Sequence, residues 1–144
     1  MPRSELDAAL DRIRDRIRAE APWLRQSGLI SYLDEQVALV DTPEKLGAVM
    51  DAPFDRVKAW AERNGIDPAD IILGEFGMIR QEWEGDFTMP AAYRAAYVRD
   101  MAARAERAGF PWSVWSYGGA FGVGEEFDER RAEPDVLEMI RALP

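Results

Sequence analysis

Eight consecutive residues limit the choice of fold for this sequence: Asp70-Ile71-Ile72-Leu73-Gly74-Glu75-Phe76-Gly77. Ile71, Ile72 and Leu73 make an unbroken apolar run, the pattern of a strand buried on both faces of a parallel sheet. Just after them Glu75 stands in a Gly-Glu-Phe-Gly frame, where that strand should run out. An unpaired carboxylate in an apolar interior is strongly disfavoured. Glu75 is therefore expected at the C-terminal mouth of the strand, the end at which α/β folds place their chemistry. A structural alternative is a strand-terminal Glu bonded to the N-terminus of the next helix. Spacing alone does not choose between them.

The residue types that are missing narrow the chemistry. The 144 residues include no cysteine, which removes disulfides, thiolate nucleophiles and zinc-thiolate sites. They include no histidine, so a Ser-His-Asp triad, imidazole acid–base catalysis and the usual transition-metal ligands are all excluded. Carboxylates, tyrosine and lysine remain for proton transfer, and no cofactor is implied. The balance of 27 Asp plus Glu against 18 Lys plus Arg gives a net charge of −9, which argues against nucleic acid or an anionic membrane surface as a partner. No apolar run approaches the ~20 residues of a membrane helix. Met1-Pro2-Arg3-Ser4 leads directly into a charged amphipathic pattern, with no secretory signal visible, and location is not readable.

Helical periodicity dominates the first part of the chain. Residues 4–19 carry Leu6, Leu10, Ile13 and Ile17 on one face, opposite alternating Asp and Arg, with Pro22 ending the pattern. A second helix is predicted from Leu29 to Val40, and a third from Thr42 as N-cap with Pro43 in its first turn. Pro53 should break that third helix and restart it. Phe54, Val57, Trp60 and Ala61 then form a stripe that Gly65 closes. We divide the chain into a helical segment, 1–53, and a βαβα segment, 54–144.

Within the second segment, the apolar run above is followed by a polar loop, Met78 to Phe87, that includes Trp83. A long helix is expected from Thr88-Met89-Pro90 to Ala108, its buried edge formed by Tyr93, Tyr97, Met101 and Ala105. Trp112 to Tyr117 reads as a second strand with aromatics on both faces. A glycine-rich loop, Gly118 to Gly122, precedes an acidic stretch containing Glu125, Glu126, Asp128 and Glu129. Neither has the register of a phosphate or calcium loop. A last helix starts near Pro134 with Val136, Leu137, Ile140 and Leu143 on its apolar side. This is the βα rhythm of a parallel sheet. Two parallel strands cannot close a barrel, which takes ~250 residues, so the chain reads as part of a larger α/β architecture whose open strand edges invite another chain.

Trp112, Trp115 and Tyr117 are a large aromatic investment for a small domain. An indole at a strand end beside a carboxylate suits a sugar, whose C–H face stacks on the ring while polar groups bond its hydroxyls. Packing alone is the alternative, and it suits Trp112 better than Trp115.

Ile72-Leu73-Gly74-Glu75-Phe76-Gly77, a helix of about twenty residues, and then Trp112 through Val123 together resemble the C-terminal end of glycoside hydrolase family 5, the cellulase family. The resemblance covers residues 54–143. It implies an α/β fold, the last two βα units of a (β/α)8 barrel preceded by a variable helical link, from a retaining endo-glycosidase acting on β-linked polysaccharide. Glu75 falls on the family's nucleophile at the seventh strand. Trp115 falls on the tryptophan that floors the subsite of the attacked sugar, and Phe121 lies in the substrate-binding loop that follows.

The departures are equally specific. Retaining hydrolysis needs two carboxyl groups ~5–5.5 Å apart, and the family's acid/base follows an asparagine. The single asparagine here, Asn64, precedes Gly65. Glu82, Glu84 and Glu125 are the loop carboxylates available as substitutes, though loops seldom hold such geometry. The family's histidines and early arginine have no counterpart. The expectation is an inactive C-terminal part, either truncated or one piece of a split barrel with a complementary chain as partner. A non-catalytic carbohydrate-binding or interaction module derived from the barrel is the alternative.

Overall fold

A computed structural model describes residues 3–80, 89–123 and 134–143. The predicted Trp83, Thr88 helix start and acidic stretch from Glu125 lie outside these residues, as do Glu82 and Glu84. In chain order the elements are α1 (Arg3–Glu20), α2 (Trp23–Ala38), α3 (Pro43–Asn64), β1 (Leu73–Phe76), α4 (Ala91–Ala108), β2 (Trp112–Val114) and α5 (Pro134–Arg141). The chain is mostly helical, with a small two-stranded parallel sheet. It forms two compact units, Met1–Ala52 and Pro53–Pro144, whose boundary falls within α3.

In the first unit α1 packs on α2. Of the predicted α1 stripe only Leu10 is buried; Ile13 is exposed and Leu6 and Ile17 are half-buried. The Asp/Arg face is laced by ion pairs, among them Arg14 Nη2 to Asp34 Oδ1 at 2.6 Å and Arg14 Nη1 to Asp11 Oδ1 at 2.8 Å. Helix α2 starts at Trp23, six residues before the predicted Leu29. Pro22 occupies its N-cap position, and the helix opens with exposed Trp23 and Leu24 ahead of the apolar spacing that begins at Leu29.

Helix α3 runs through Pro53 rather than restarting there. Thr42 caps it as expected, its Oγ1 accepting from the Lys45 amide at 3.3 Å. An interior proline removes one backbone donor and crowds the carbonyl four residues back, a cost of about 3 kcal/mol or more. The burial of Phe54 and Ala61 beyond the proline offsets that cost. Gly65 closes the helix at φ +64°, with its amide bonded to Glu62 O and the Ile66 amide to Ala61 O, a Schellman arrangement.

In the second unit β1 and β2 pair in parallel through Leu73↔Trp112 and Phe76↔Val114. Three steps on β1 match two on β2, so the register shifts between the two pairs. The predicted doubly buried run Ile71–Leu73 is corrected: β1 begins only at Leu73, and Ile72 is 64% exposed. The ladder cannot extend backwards because Pro111 offers no amide donor, and its carbonyl already accepts from Leu73 N–H at 2.8 Å. The amides of Gly109 and Phe110 are taken up by the α4 terminus.

Helix α4 buries Arg94, Ala95, Val98, Ala102, Ala105 and Ala108. The predicted edge is therefore displaced: Ala105 belongs to it, whereas Tyr93, Tyr97 and Met101 flank it half-buried. Alanines let the helix lie close to the sheet, and the larger side chains fill the margins. One apolar cluster joins Phe76, Ala95, Val98, Ala102, Val136 and Met139, with Leu73, Trp112 and Val114 packed on it. A second joins Phe54, Ala105, Ala108 and Phe110. The apolar side of α5 buries Val136 and Met139, with Leu137, Ile140 and Leu143 half-buried.

Candidate functional site

The two strands present different faces. Leu73, Phe76, Trp112 and Val114 pack into the helix-side clusters. Gly74, Glu75 and Ser113 are exposed, and so is Trp115 immediately after β2. On β2 alternation turns Trp112 and Val114 to the helices and leaves Ser113 exposed, whereas on β1 the register shift leaves Gly74 and Glu75 exposed together between Leu73 and Phe76. Trp112 is structural: its ring meets Phe76 edge-on at 5.9 Å, and its indole N–H donates to Glu106 Oε1 at 3.4 Å. The expected filling of both faces by β2 is corrected accordingly. The strand stops at Val114, Trp115 is 50% exposed and Tyr117 is 69% exposed.

Backbone bonds bring the candidate residues together. Because the strands are parallel, their C-terminal ends lie side by side, and the Trp115 amide donates to Phe76 O at 2.8 Å. Trp115 is therefore held against the residue next to Glu75. Gly77 explains the closeness of this join. A Cβ built there would lie 1.9 Å from the Trp115 carbonyl oxygen and 3.6 Å from Phe121 Cδ1, space that only glycine leaves open. The Trp115–Ser116 peptide bond is cis.

Phe121, half-buried, ends a short 3-10 turn, Gly119–Phe121, within the glycine-rich loop. Gly119 has φ +80°. The Arg80 amide donates to Ala120 O at 2.7 Å, tying the segment after β1 to the segment after β2. Glu75, Trp115 and Phe121 are thus carried by adjoining backbone segments. Among the described residues no group of three or more acidic side chains is arranged to hold a metal ion, and no helix is long and apolar enough to cross a membrane.

Sequence reasoning missed Arg94. It is 1% exposed and its Nη2 donates to Gly122 O at 2.6 Å. Two signals were available. A single arginine interrupts a stripe of alanine and valine, and it sits in the first turn of α4, where a cation opposes the helix dipole.

No protein-family model and no curated protein matches the sequence. Among solved structures, cellulose synthase subunit Z (CcsZ) from Clostridioides difficile superposes with a TM-score of 0.52 at 28% identity. That match covers 69% of this chain and 29% of the other. The fold is shared over part of each chain. An endoglucanase matches at TM-score 0.48 and 23% identity, covering 65% of this chain and 27% of its own. A hyperthermophilic endo-β-1,4-glucanase, solved in complex with substrate, matches at 0.49 and 22%, covering 69% and 29%. This chain spans less than a third of the length of each.

Proposed function

We propose that this chain corresponds to the last two βα units of a family 5-type (β/α)8 endo-glycosidase acting on β-linked glucan. The observation that carries the reading is the exposed pair, Glu75 and Trp115, at the same end of adjacent parallel strands. In a closed barrel that end is the mouth where such folds do chemistry. The partial superposition on a cellulose synthase subunit fits a glucan ligand.

In the complete site the Glu75 carboxylate attacks the anomeric carbon and the glycosidic C–O bond breaks. The leaving oxygen takes a proton from a second carboxylic acid, and water then hydrolyses the glycosyl ester. Trp115 stacks beneath the attacked ring, and Phe121 borders the same subsite. No Asn-Glu pair in this sequence supplies the acid. The purified chain should therefore release no reducing sugar from carboxymethylcellulose. Release that Glu75→Gln abolishes would overturn this expectation. Mixing with a chain supplying strands one to six should restore hydrolysis if the barrel is split, and no gain would count against that version.

The half-exposed indole also supports a second reading, a carbohydrate-binding module that retains the aromatic plate without catalysis. Titration with cello-oligosaccharides separates the two. Binding lost in Trp115→Ala and indifferent to Glu75→Gln favours the module.

A further inference from the structure

Arg94 is the one charged side chain among the described residues that is fully buried. A guanidinium stays ionised at any pH a protein meets, so its burial is unfavourable unless the charge meets acceptors. The Gly122 carbonyl is such an acceptor, 2.6 Å from Nη2, in the short range of charge-assisted bonds. Gly122 is itself buried, so an apolar residue at position 94 would leave that carbonyl without this donor.

What Arg94 grips is the closing end of a loop. The Val123 amide donates to Ser116 O at 3.0 Å and the Gly122 amide to Gly119 O at 2.9 Å. The Ser116 hydroxyl donates to Gly118 O at 2.6 Å. Residues 116–123 are thus closed on themselves, start directly after Trp115 and contain Phe121. Two backbone carbonyls of the loop accept hydrogen bonds from Arg80 and Arg94 outside it, and Val123 packs on the apolar cluster. The Arg80 amide bonds Ala120 O, and the Arg94 guanidinium bonds Gly122 O. Of these two, only the second depends on a side chain.

We propose that Arg94 is a positioning residue for sugar binding. By holding the Gly122 carbonyl it fixes the 116–123 loop, and through the loop the rings of Trp115 and Phe121, without touching the ligand. The sugar half of this inference rests on the glucan reading above; the loop half does not.

The test uses the full chain with Arg94→Met, Arg94→Lys and Arg94→Gln, read by amide hydrogen exchange and by cellohexaose titration of tryptophan fluorescence. In Arg94→Met the Gly122 and Val123 amides should exchange at least about tenfold faster, with Val98 and Ala102 unchanged, and cellohexaose should bind about tenfold more weakly. Arg94→Lys keeps the charge and a donor, and should retain loop protection and affinity within about threefold. Loop amides as protected in Arg94→Met as in the parent would overturn the proposal. So would acceleration spread equally over α4, because that marks a packing residue. If Arg94→Met does not fold, Arg94→Gln, which keeps an amide donor without the charge, takes its place under the same criteria. Unfolding in both Arg94→Lys and Arg94→Gln would make Arg94 a core residue and end the proposal. If the parent does not bind cellohexaose but the loop amides respond as stated, the glucan reading fails and the loop role stands.

Discussion

Residues 1–52 and 53–144 are held together by different forces. Among the described residues before Pro53, Leu10 alone is buried, while Trp23, Leu24, Tyr32 and Leu39 are all more than half exposed. This first unit relies on helix caps and on ion pairs such as Arg16–Glu20 and Lys45–Asp41, solvated pairs that water and salt weaken. In the second unit a continuous apolar stripe on α4 meets both strands and α5. The candidate site belongs to the unit with the core. The contrast suggests why: a carboxylate and an indole can be aimed only from a backbone that does not yield.

The largest test of this contrast is a matched pair of core truncations. Phe76→Ala should cost roughly 3–5 kcal/mol in urea unfolding, since Phe76 is 6% exposed and packs with α4 and α5 residues. Leu10→Ala is equally buried in fraction but has few buried neighbours to leave stranded, and should fall at the low end of the Leu→Ala range, about 2 kcal/mol. Equal losses at the two positions would erase the distinction between the units.

Glycine-to-alanine substitutions should differ in sign. Gly77→Ala drives a methyl into the Trp115 carbonyl and should destabilise by roughly 1–3 kcal/mol. It should also alter the near-ultraviolet circular dichroism of the tryptophans. Gly28 lies inside α2 with nothing within 4 Å of a new Cβ. Gly28→Ala should stabilise by about 0.5–1 kcal/mol through helix propensity alone. A loss at Gly28 would mean that a surface now open is covered in solution.

The same contrast explains what could be read from the sequence. Helices α1, α3, α4 and α5 were legible because caps, glycine stops and 3.6-residue spacing are local signals. The order Gly74-Glu75-Phe76-Gly77 before Trp112–Val123 located two adjacent strand ends. What failed were inferences that need knowledge of what covers a face. Ile72 reads as a strand residue buried on both faces, yet it precedes β1 and is 64% exposed. Large apolar side chains are expected inside, which puts the predicted buried edge of α4 on its tyrosines, whereas close approach to a sheet selects alanine. Pro53 predicts a break and restart in a helix that the burial of Phe54 sustains. The roles of Glu75, Trp115 and Phe121 rest on a motif, and the experiments above decide them.

The smallest effects belong to the charged unit. Arg14→Ala removes the bonds to Asp34 and Asp11, yet should shift the urea midpoint less than either core truncation because these pairs are solvated. The start of α3 gives a finer test through pH. The Lys45 ammonium bonded to Asp41 holds that carboxyl below its usual range, aided by the charges of Lys45 and Arg3. Glu44 is lowered first by its own backbone amide and then by the Thr42 hydroxyl. In both cases the folded carboxyl binds its proton less readily than the unfolded one. Their stabilisation is therefore complete above the unfolded values, near pH 4, and fades as pH falls through the folded ones. Protection of the Leu46 and Gly47 amides, taken relative to intrinsic exchange at each pH, should fall on acidification over that window, while Val98 and Ala102 keep theirs. Asp41→Asn with Glu44→Gln should flatten the response at α3. If acid loosens α4 first instead, carboxylates of the second unit govern acid stability, and the assignment of electrostatic control to the first unit is wrong.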